Sequence, residues 1–429
     1  MKPRVPLWYE VLWRVALPFA LLRIWWRGRR EPGYRLHVGE RFGRYVPVAD
    51  ARPAIWIHAV SVGETRAAEP LVRALRERYP DHRIVLSHMT ATGRETGRTL
   101  FGDRVTQAYL PYDTSFATER FLAWSRPRMG LLMETELWPN LILRARNRGI
   151  PVFLVNARLS DRSARRYRRL PQFTQTILRS LAGVAAQTAA DGERLQALGA
   201  TRLVVTGNVK FDVAVPDDIA QRCQQLRGML GAVRPVWVLG STRDGEEALL
   251  LDALLRLPLP PAALVVIVPR HPQRFDAVAA LLEQRRMTFV RKSDEQPVPA
   301  HAAVVLGDTM GEMLSYYAAA DVAFIGGTLL PLGGQNLIEP LAVGTPVLIG
   351  PSTFNFAEVA REALAQGAAR SVADAGAAVE AARALLLDSG ERAQMSAAGR
   401  RLLSAHSGAT RRTVEWIGTQ LDTGATSPR

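Results

Sequence analysis

Chemistry in this chain is placed where short apolar runs stop. Ile55-Trp56-Ile57-His58-Ala59-Val60 gives way to Ser61-Val62-Gly63-Glu64, a tight turn that leads into a helical stretch. A carboxylate at that point can be a helix-terminus charge worth about a few tenths of a kcal/mol. Facing a cleft, it can instead take the proton from an attacking hydroxyl. Gly130-Leu131-Leu132 runs into Met133-Glu134-Thr135-Glu136-Leu137-Trp138-Pro139-Asn140. Alternate residues of an extended segment share a face, so Glu134 and Glu136 point the same way. Like charges that close raise each other's cost of ionisation. A solvated loop would relieve that cost, but the adjacent Leu137-Trp138-Pro139 argues for partial burial and therefore for a function.

Thr206-Gly207-Asn208-Val209-Lys210-Phe211-Asp212 carries one of only three lysines (Lys2, Lys210 and Lys292) in a chain that otherwise uses arginine. A compact ammonium at such a point suits a site where a guanidinium would not serve. Asn156-Ala157-Arg158-Leu159-Ser160 follows another apolar run, and Arg162, Arg165, Arg166, Arg168 and Arg169 crowd the helix behind it. That run is either a solvated helix face or a dock for phosphates and anionic headgroups.

The densest signal lies between Val322 and Glu358. The buried run Val322-Ala323-Phe324-Ile325 breaks at Gly326-Gly327, and Gly333-Gly334 delivers the chain to Gln335-Asn336-Leu337-Ile338-Glu339-Pro340, which reads as a helix start. Pro346-Val347-Leu348-Ile349 is the next buried strand. Glycines let backbone approach a ligand, and the free N–H groups of a first helical turn favour an anion. Glu339 can accept from both hydroxyls of a ribose, as the acidic residue of dinucleotide folds does. A purely structural crossover would show the same glycines. Three further polar loops end apolar runs: Gly240-Ser241-Thr242-Arg243, Pro269-Arg270-His271-Pro272, and Gly307-Asp308-Thr309-Met310-Gly311-Glu312.

The elements that must position these residues alternate strand and helix. Strands are expected at 55–60, 83–87, 130–133, 152–155, 184–187 and 203–205, then at 236–239, 264–268, 304–306, 322–325 and 347–349. Such alternation specifies doubly wound parallel sheets. At 429 residues two domains are expected. The divisions are 1–30 as a membrane anchor, 31–211 and 235–429 as two Rossmann-like domains facing across a cleft, and 212–234 as the linker. Residues 423–429 read as a frayed end.

A net charge of +15, from 55 Lys+Arg against 40 Asp+Glu, points to an anionic partner. The single cysteine, Cys223, excludes disulfides and cysteine metal sites and fits a reducing compartment. Leu7 to Trp26 is apolar and tryptophan-rich but carries Glu10, Arg14 and Arg23, which leaves open whether it spans a bilayer or lies in its interface. It lacks a small-residue cleavage site, and Arg27, Arg29 and Arg30 keep the rest of the chain cytoplasmic. An ordinary buried helix is the remaining alternative.

In order and spacing, six stretches resemble the 3-deoxy-D-manno-octulosonic acid (Kdo) transferases of Gram-negative bacteria: His58–Glu64, Glu134–Asn140, Asn156–Ser160, Thr206–Lys210, Pro269–Phe275 and Gly333–Pro351. The resemblance implies the GT-B architecture, CMP-Kdo as donor and a lipid A precursor as acceptor, with no cofactor and no obligatory protein-bound metal. It implies Glu64 as general base, with Glu134 and Lys210 as transition-state stabilisers. Arg270, His271, Met310, Gly311, Glu312, Asn336, Leu337, Ile338 and Glu339 match CMP-binding segments. Arg158, Arg162 and Arg165 are candidates for the acceptor phosphate. The expected location is the cytoplasmic face of the inner membrane, with membrane lipids as partners and no nucleic acid. Gln335 departs from the histidine expected there, which puts local hydrogen bonding in doubt more than activity. Two other readings stand beside this one. A UDP-sugar-dependent GT-B transferase or epimerase of envelope biosynthesis would share Gly333–Glu339. An arginine-rich nucleic-acid-binding protein would explain the charge but not the three carboxylates at strand ends.

Overall fold

The computed structural model describes residues 3–213 and 215–425, so 426–429 of the expected frayed end lie outside the described residues. Two compact units divide the chain, one made of 1–212 and 406–429, the other of 213–405. Each is built on a seven-stranded, wholly parallel sheet flanked by helices.

In the first unit the strands are β1 (Ala54–His58), β2 (Arg83–His88), β3 (Thr106–Tyr109), β4 (Pro127–Met133), β5 (Val152–Ala157), β6 (Gly183–Ala186) and β7 (Leu203–Val205). Their order is β3-β2-β1-β4-β5-β6-β7, so the topology reverses between β1 and β4, where ligands of open α/β sheets bind. Central strands such as β1 and β2 are buried along their whole length, which is why they read as unbroken apolar runs. Apolar layers cover both faces. Trp56, Leu132, Leu154 and Ile142 belong to one, and Ile57, Leu71, Leu131 and Val155 to the other.

The second unit contains β8 (Val236–Thr242), β9 (Leu264–Pro269), β10 (Phe289–Arg291), β11 (Val304–Leu306), β12 (Val322–Ile325), β13 (Val347–Ile349) and β14 (Ala369–Ser371), ordered β10-β11-β9-β8-β12-β13-β14. Its reversal falls between β8 and β9 on one side and β12 on the other. Trp237, Leu239, Ile267, Phe324 and Leu348 anchor its core.

The expected domain limits differ from these units at both ends of the second. The tract read as a linker contains a helix, Ile219–Leu230, that buries Leu226 and Leu230 within the second unit. The C-terminal helix Ala409–Ala425, expected in the second domain, belongs to the first unit. There Ala409, Val414 and Ile417 join the layer around Leu71 and Phe153. The strands β3, β10 and β14 were not expected, because each is short, β3 and β14 are only partly buried and β10 is half-buried throughout.

The N-terminal helix Leu7–Arg30 lies along the first unit. Ile24 packs with Tyr34 and Tyr112, joined by Trp13, Leu17 and Ala20. The Tyr9 hydroxyl donates to Asp113 (2.8 Å), whose carboxylate also accepts from the backbone of Asn140 and Leu141 (2.9 and 3.0 Å). The opposite helix face, with Trp8, Leu12, Val15, Phe19, Leu22 and Trp26, is exposed. No described helix is long and apolar enough to cross a membrane.

Candidate active site

Glu64 sits in the first turn of the helix Val62–Ala67, directly after β1. Ser61 caps that helix by accepting from the Glu64 N–H, and the Glu64 carboxylate accepts from the Val60 N–H (2.8 Å) and the Ser61 hydroxyl (3.3 Å). The helix-terminus function that the sequence allowed is therefore present. It does not account for the electrostatics. Burial, followed by the Glu134 charge, pushes the Glu64 carboxyl up to about 8, with Glu136 adding to the rise and Lys210 opposing it. A group poised near neutrality in a cluster of unlike charges is a candidate for acid–base chemistry.

Beneath this turn, burial holds His58 down at about 3 and His88 at about 4, so both are neutral spacers. The His58 Nδ1 meets the Ser87 hydroxyl at 3.0 Å.

Glu134 follows β4 with a left-handed backbone, φ 58°, unusual for a non-glycine residue. That turn aims its carboxylate at Lys210, whose Nζ donates to Glu134 Oε1 at 2.6 Å, with both side chains about one-fifth exposed. Glu136, also expected beside Glu134, is held above the usual carboxylate range, chiefly by burial. Asn156, at the end of β5, is left-handed too (φ 51°). Its Oδ1 accepts from the Val209 N–H at 3.1 Å and so ties the Lys210 segment to the sheet. Glu64, Glu134, Glu136 and Lys210 thus form one electrostatic cluster at the carboxyl edge of β1 and β4. Arg158 is half-buried behind it, while Arg162 and Arg165 are exposed on the next helix, Asp161–Tyr167.

The second unit gathers its expected residues at the corresponding edge. Arg270 follows β9, and its N–H donates to the Thr242 carbonyl at the end of β8 (3.0 Å); exposed His271 is next to it. Met310 is 60% exposed, and Gly311 (φ 82°) has open space where a Cβ would stand. Glu312 accepts from the Thr309 hydroxyl. After β12 the chain turns through Gly333 and Gly334, both with positive φ, to the helix Ile338–Ala342. A side chain at Gly333 would strike Phe354 and Asn355. The helix starts later than expected, and its first N–H is taken: Asn336 Oδ1 accepts from Ile338 at 3.0 Å, while the Asn336 amide donates to Glu339 (3.0 Å). Leu337 and Ile338 are buried and support this turn from below.

One residue here was not singled out from sequence. Glu246 is fully buried and accepts from the N–H groups of Arg243, Gly327 and Leu329 at 3.0, 2.5 and 3.0 Å. It fastens the first glycine pair to the end of β8. The signal was an acidic residue opening a helix directly behind Gly240–Arg243.

By architecture, two parallel α/β units with polar carboxyl edges place the chain in the GT-B class. Solved structures of that form agree. The S. aureus MnaA–UDP co-structure matches with TM-score 0.52 and 16% identity over 88% of this chain and 99% of that one. A UDP-GlcNAc 2-epimerase from Neisseria meningitidis, bound to UDP-GlcNAc, gives 0.50 and 14% over 85% and 100%. Identities this low establish the fold alone. The particular family comes from sequence. Residues 36–213 match the family described as 3-deoxy-D-manno-octulosonic-acid transferase (kdotransferase), and 249–402 match glycosyl transferases group 1. The Bordetella pertussis 3-deoxy-D-manno-octulosonic acid transferase is 47% identical over 96% of this chain and 99% of its own. That of Haemophilus influenzae is 38% identical over 95% and 97%. The chain belongs to the Kdo transferase family.

Proposed function

We propose that the protein transfers Kdo from CMP-Kdo to a hydroxyl of a lipid A precursor, a tetraacylated disaccharide bisphosphate, with inversion at the anomeric carbon, in lipopolysaccharide biosynthesis. One observation carries the mechanism: the half-buried Glu64 carboxyl, raised to about 8 beside the Glu134–Lys210 pair. The acceptor oxygen forms its bond to the anomeric carbon as the bond from that carbon to the phosphate oxygen of CMP breaks. Glu64, once ionised, takes the hydroxyl proton, and CMP departs with the bonding electrons. Positive charge grows on the sugar ring, where Glu134 stabilises it. Lys210 offsets the sugar's own carboxylate or the departing phosphate.

The donor nucleotide is assigned to the second unit. Glu339 receives the ribose hydroxyls, Arg270 and His271 meet phosphate, and the open turn at Met310–Glu312 and the segment Asn336–Ile338 frame the rest. Arg158, Arg162 and Arg165 are assigned to an acceptor phosphate. Incubation with CMP-Kdo and the tetraacyl disaccharide, followed by mass spectrometry of the lipid, tests the proposal. A mass gain of one or more Kdo units is expected, whereas turnover of UDP-sugars in place of CMP-Kdo would overturn it.

The N-terminal helix is the proposed membrane contact, on the cytoplasmic face of the inner membrane. It lies in the interface: one face packs on the first unit, while Leu12, Val15, Phe19 and Leu22 remain exposed on the other. Serine at Leu12, Phe19 and Leu22 together is expected to abolish flotation with anionic vesicles while leaving the melting temperature in place. Undiminished flotation would reject the helix as the contact.

A further inference from the structure

We propose that the C-terminal helix Ala409–Ala425 is a positioning element for Lys210, acting through Arg412 and Asp212. The inference rests on Lys210 having the role just assigned.

Every residue around Lys210 is fixed, and much of the fixing comes from a segment nearly two hundred residues away. The Arg412 guanidinium donates twice to the Thr206 carbonyl, from Nε at 3.0 Å and Nη2 at 2.7 Å. Gly207 makes this approach possible, because its φ is 89° and a Cβ there would crowd Arg412 Nη2 at 3.1 Å. On the other side of Lys210, Asp212 accepts from the N–H groups of Gly408 and Thr410, at 2.7 and 2.5 Å, and so caps the C-terminal helix. The Phe211 ring stacks on His406 with centroids 4.3 Å apart and planes 13° from parallel. Between these two clamps, Asn208 Oδ1 accepts from the Lys210 N–H at 3.0 Å, and Asn156 holds Val209. The segment 206–212 is thus gripped by the C-terminal helix at both ends and by β5 in the middle.

Such a grip is more than a long, flexible side chain needs merely to stay folded. A lysine ammonium has a four-carbon stem, so its position depends on a backbone that does not drift. Here that backbone delivers Nζ to Glu134 at 2.6 Å, within the group of charges that surrounds Glu64. The groups facing the Glu64 carboxyl are Glu134, Glu136, Lys210, the Ser61 hydroxyl and the Val60 N–H; the Val60 N–H favours the ionised form, and of the three charges only Lys210 does. Withdrawing Lys210 therefore leaves a readable trace: the proton on Glu64 becomes harder to remove.

The test compares Arg412→Met, Arg412→Lys, Asp212→Asn and Lys210→Met with the full-length wild type, measuring turnover against pH and the melting temperature. Arg412→Met is expected to lower turnover by about 10- to 10²-fold, the scale of a small misplacement. Its pH–rate profile should move to higher pH in the same direction as that of Lys210→Met. Arg412→Lys, which keeps a donor to Thr206, should recover most of the rate and the profile. Should Arg412→Met fail to fold, Asp212→Asn gives the same comparison at smaller amplitude, with Arg412→Lys as the conservative control. A rate that falls only with the folded fraction, on an unmoved profile, overturns the positioning function while leaving Lys210 in place. Wild-type behaviour of Lys210→Met overturns the assignment of Lys210 and this inference with it.

Discussion

Glutamine in place of Glu64 is expected to lower turnover by at least about 10²-fold, the usual worth of a positioned general base. The substitution keeps the side-chain shape, and its amide oxygen can still accept from the Val60 N–H that the carboxylate holds at 2.8 Å. Helix capping is thereby preserved while proton abstraction is lost. In the wild type, burial and Glu134 raise the Glu64 carboxyl to about 8, so the rate should climb as pH rises toward that value. The linked stability has the opposite sense. A carboxyl raised from 4.5 to about 8 on folding contributes stability that is full below pH 4.5 and lost as pH rises through 8. The glutamine variant carries no such loss, so its melting temperature relative to wild type should improve between about pH 4.5 and 8. Turnover above a tenth of wild type would remove Glu64 from the mechanism.

The second large effect concerns the donor. Alanine at Glu339 should weaken CMP binding by about 1.5–3 kcal/mol, or roughly 10- to 150-fold, the cost of losing a charged acceptor. The structure adds a competing function, since Glu339 accepts from the Asn336 amide, which in turn caps Ile338. Glu339→Gln separates the two, because a glutamine oxygen can still accept from Asn336 but carries no charge for ribose hydroxyls. Calorimetry should find CMP affinity reduced in both variants. Full affinity in the glutamine variant would leave Glu339 as a loop support only.

Sequence was most informative where one local rule was enough. The central strands β11, β12 and β13 were read to the residue, because an apolar run stopped by glycine or proline admits few other structures. The carboxyl-edge placement of Glu64, Glu134 and Lys210 came from the same rule. It was least informative where the cause lies far along the chain. The helical stretch expected behind Glu64 is two helices, Val62–Ala67 and Glu69–Arg78, with Pro70 near the start of the second. The Glu134–Lys210 pair joins residues 76 positions apart, and no periodicity announces it. Glu246 looks like any acidic residue in a first helical turn. Only the fold reveals that three backbone N–H groups from two separate loops converge on it. The N-terminal segment was read as a membrane anchor. Its second face, with Tyr9 bonded to Asp113, could not be read without knowing what it packs against.

The return of the C-terminal helix to the first unit sets an order on the protein's own making. Residues 213–405 are an insertion into a unit whose second part, from His406 on, is synthesised only after them. Until those residues leave the ribosome, the layer around Leu71 and Phe153 lacks Val414 and Ile417, and the space over Gly183 lacks the Trp416 ring. A nascent chain stalled after residue 405 would therefore hold a complete second unit and an open first one. The residues proposed for catalysis belong to that open unit and so wait on the helix Ala409–Ala425, whereas the unit to which the nucleotide is assigned can be finished earlier.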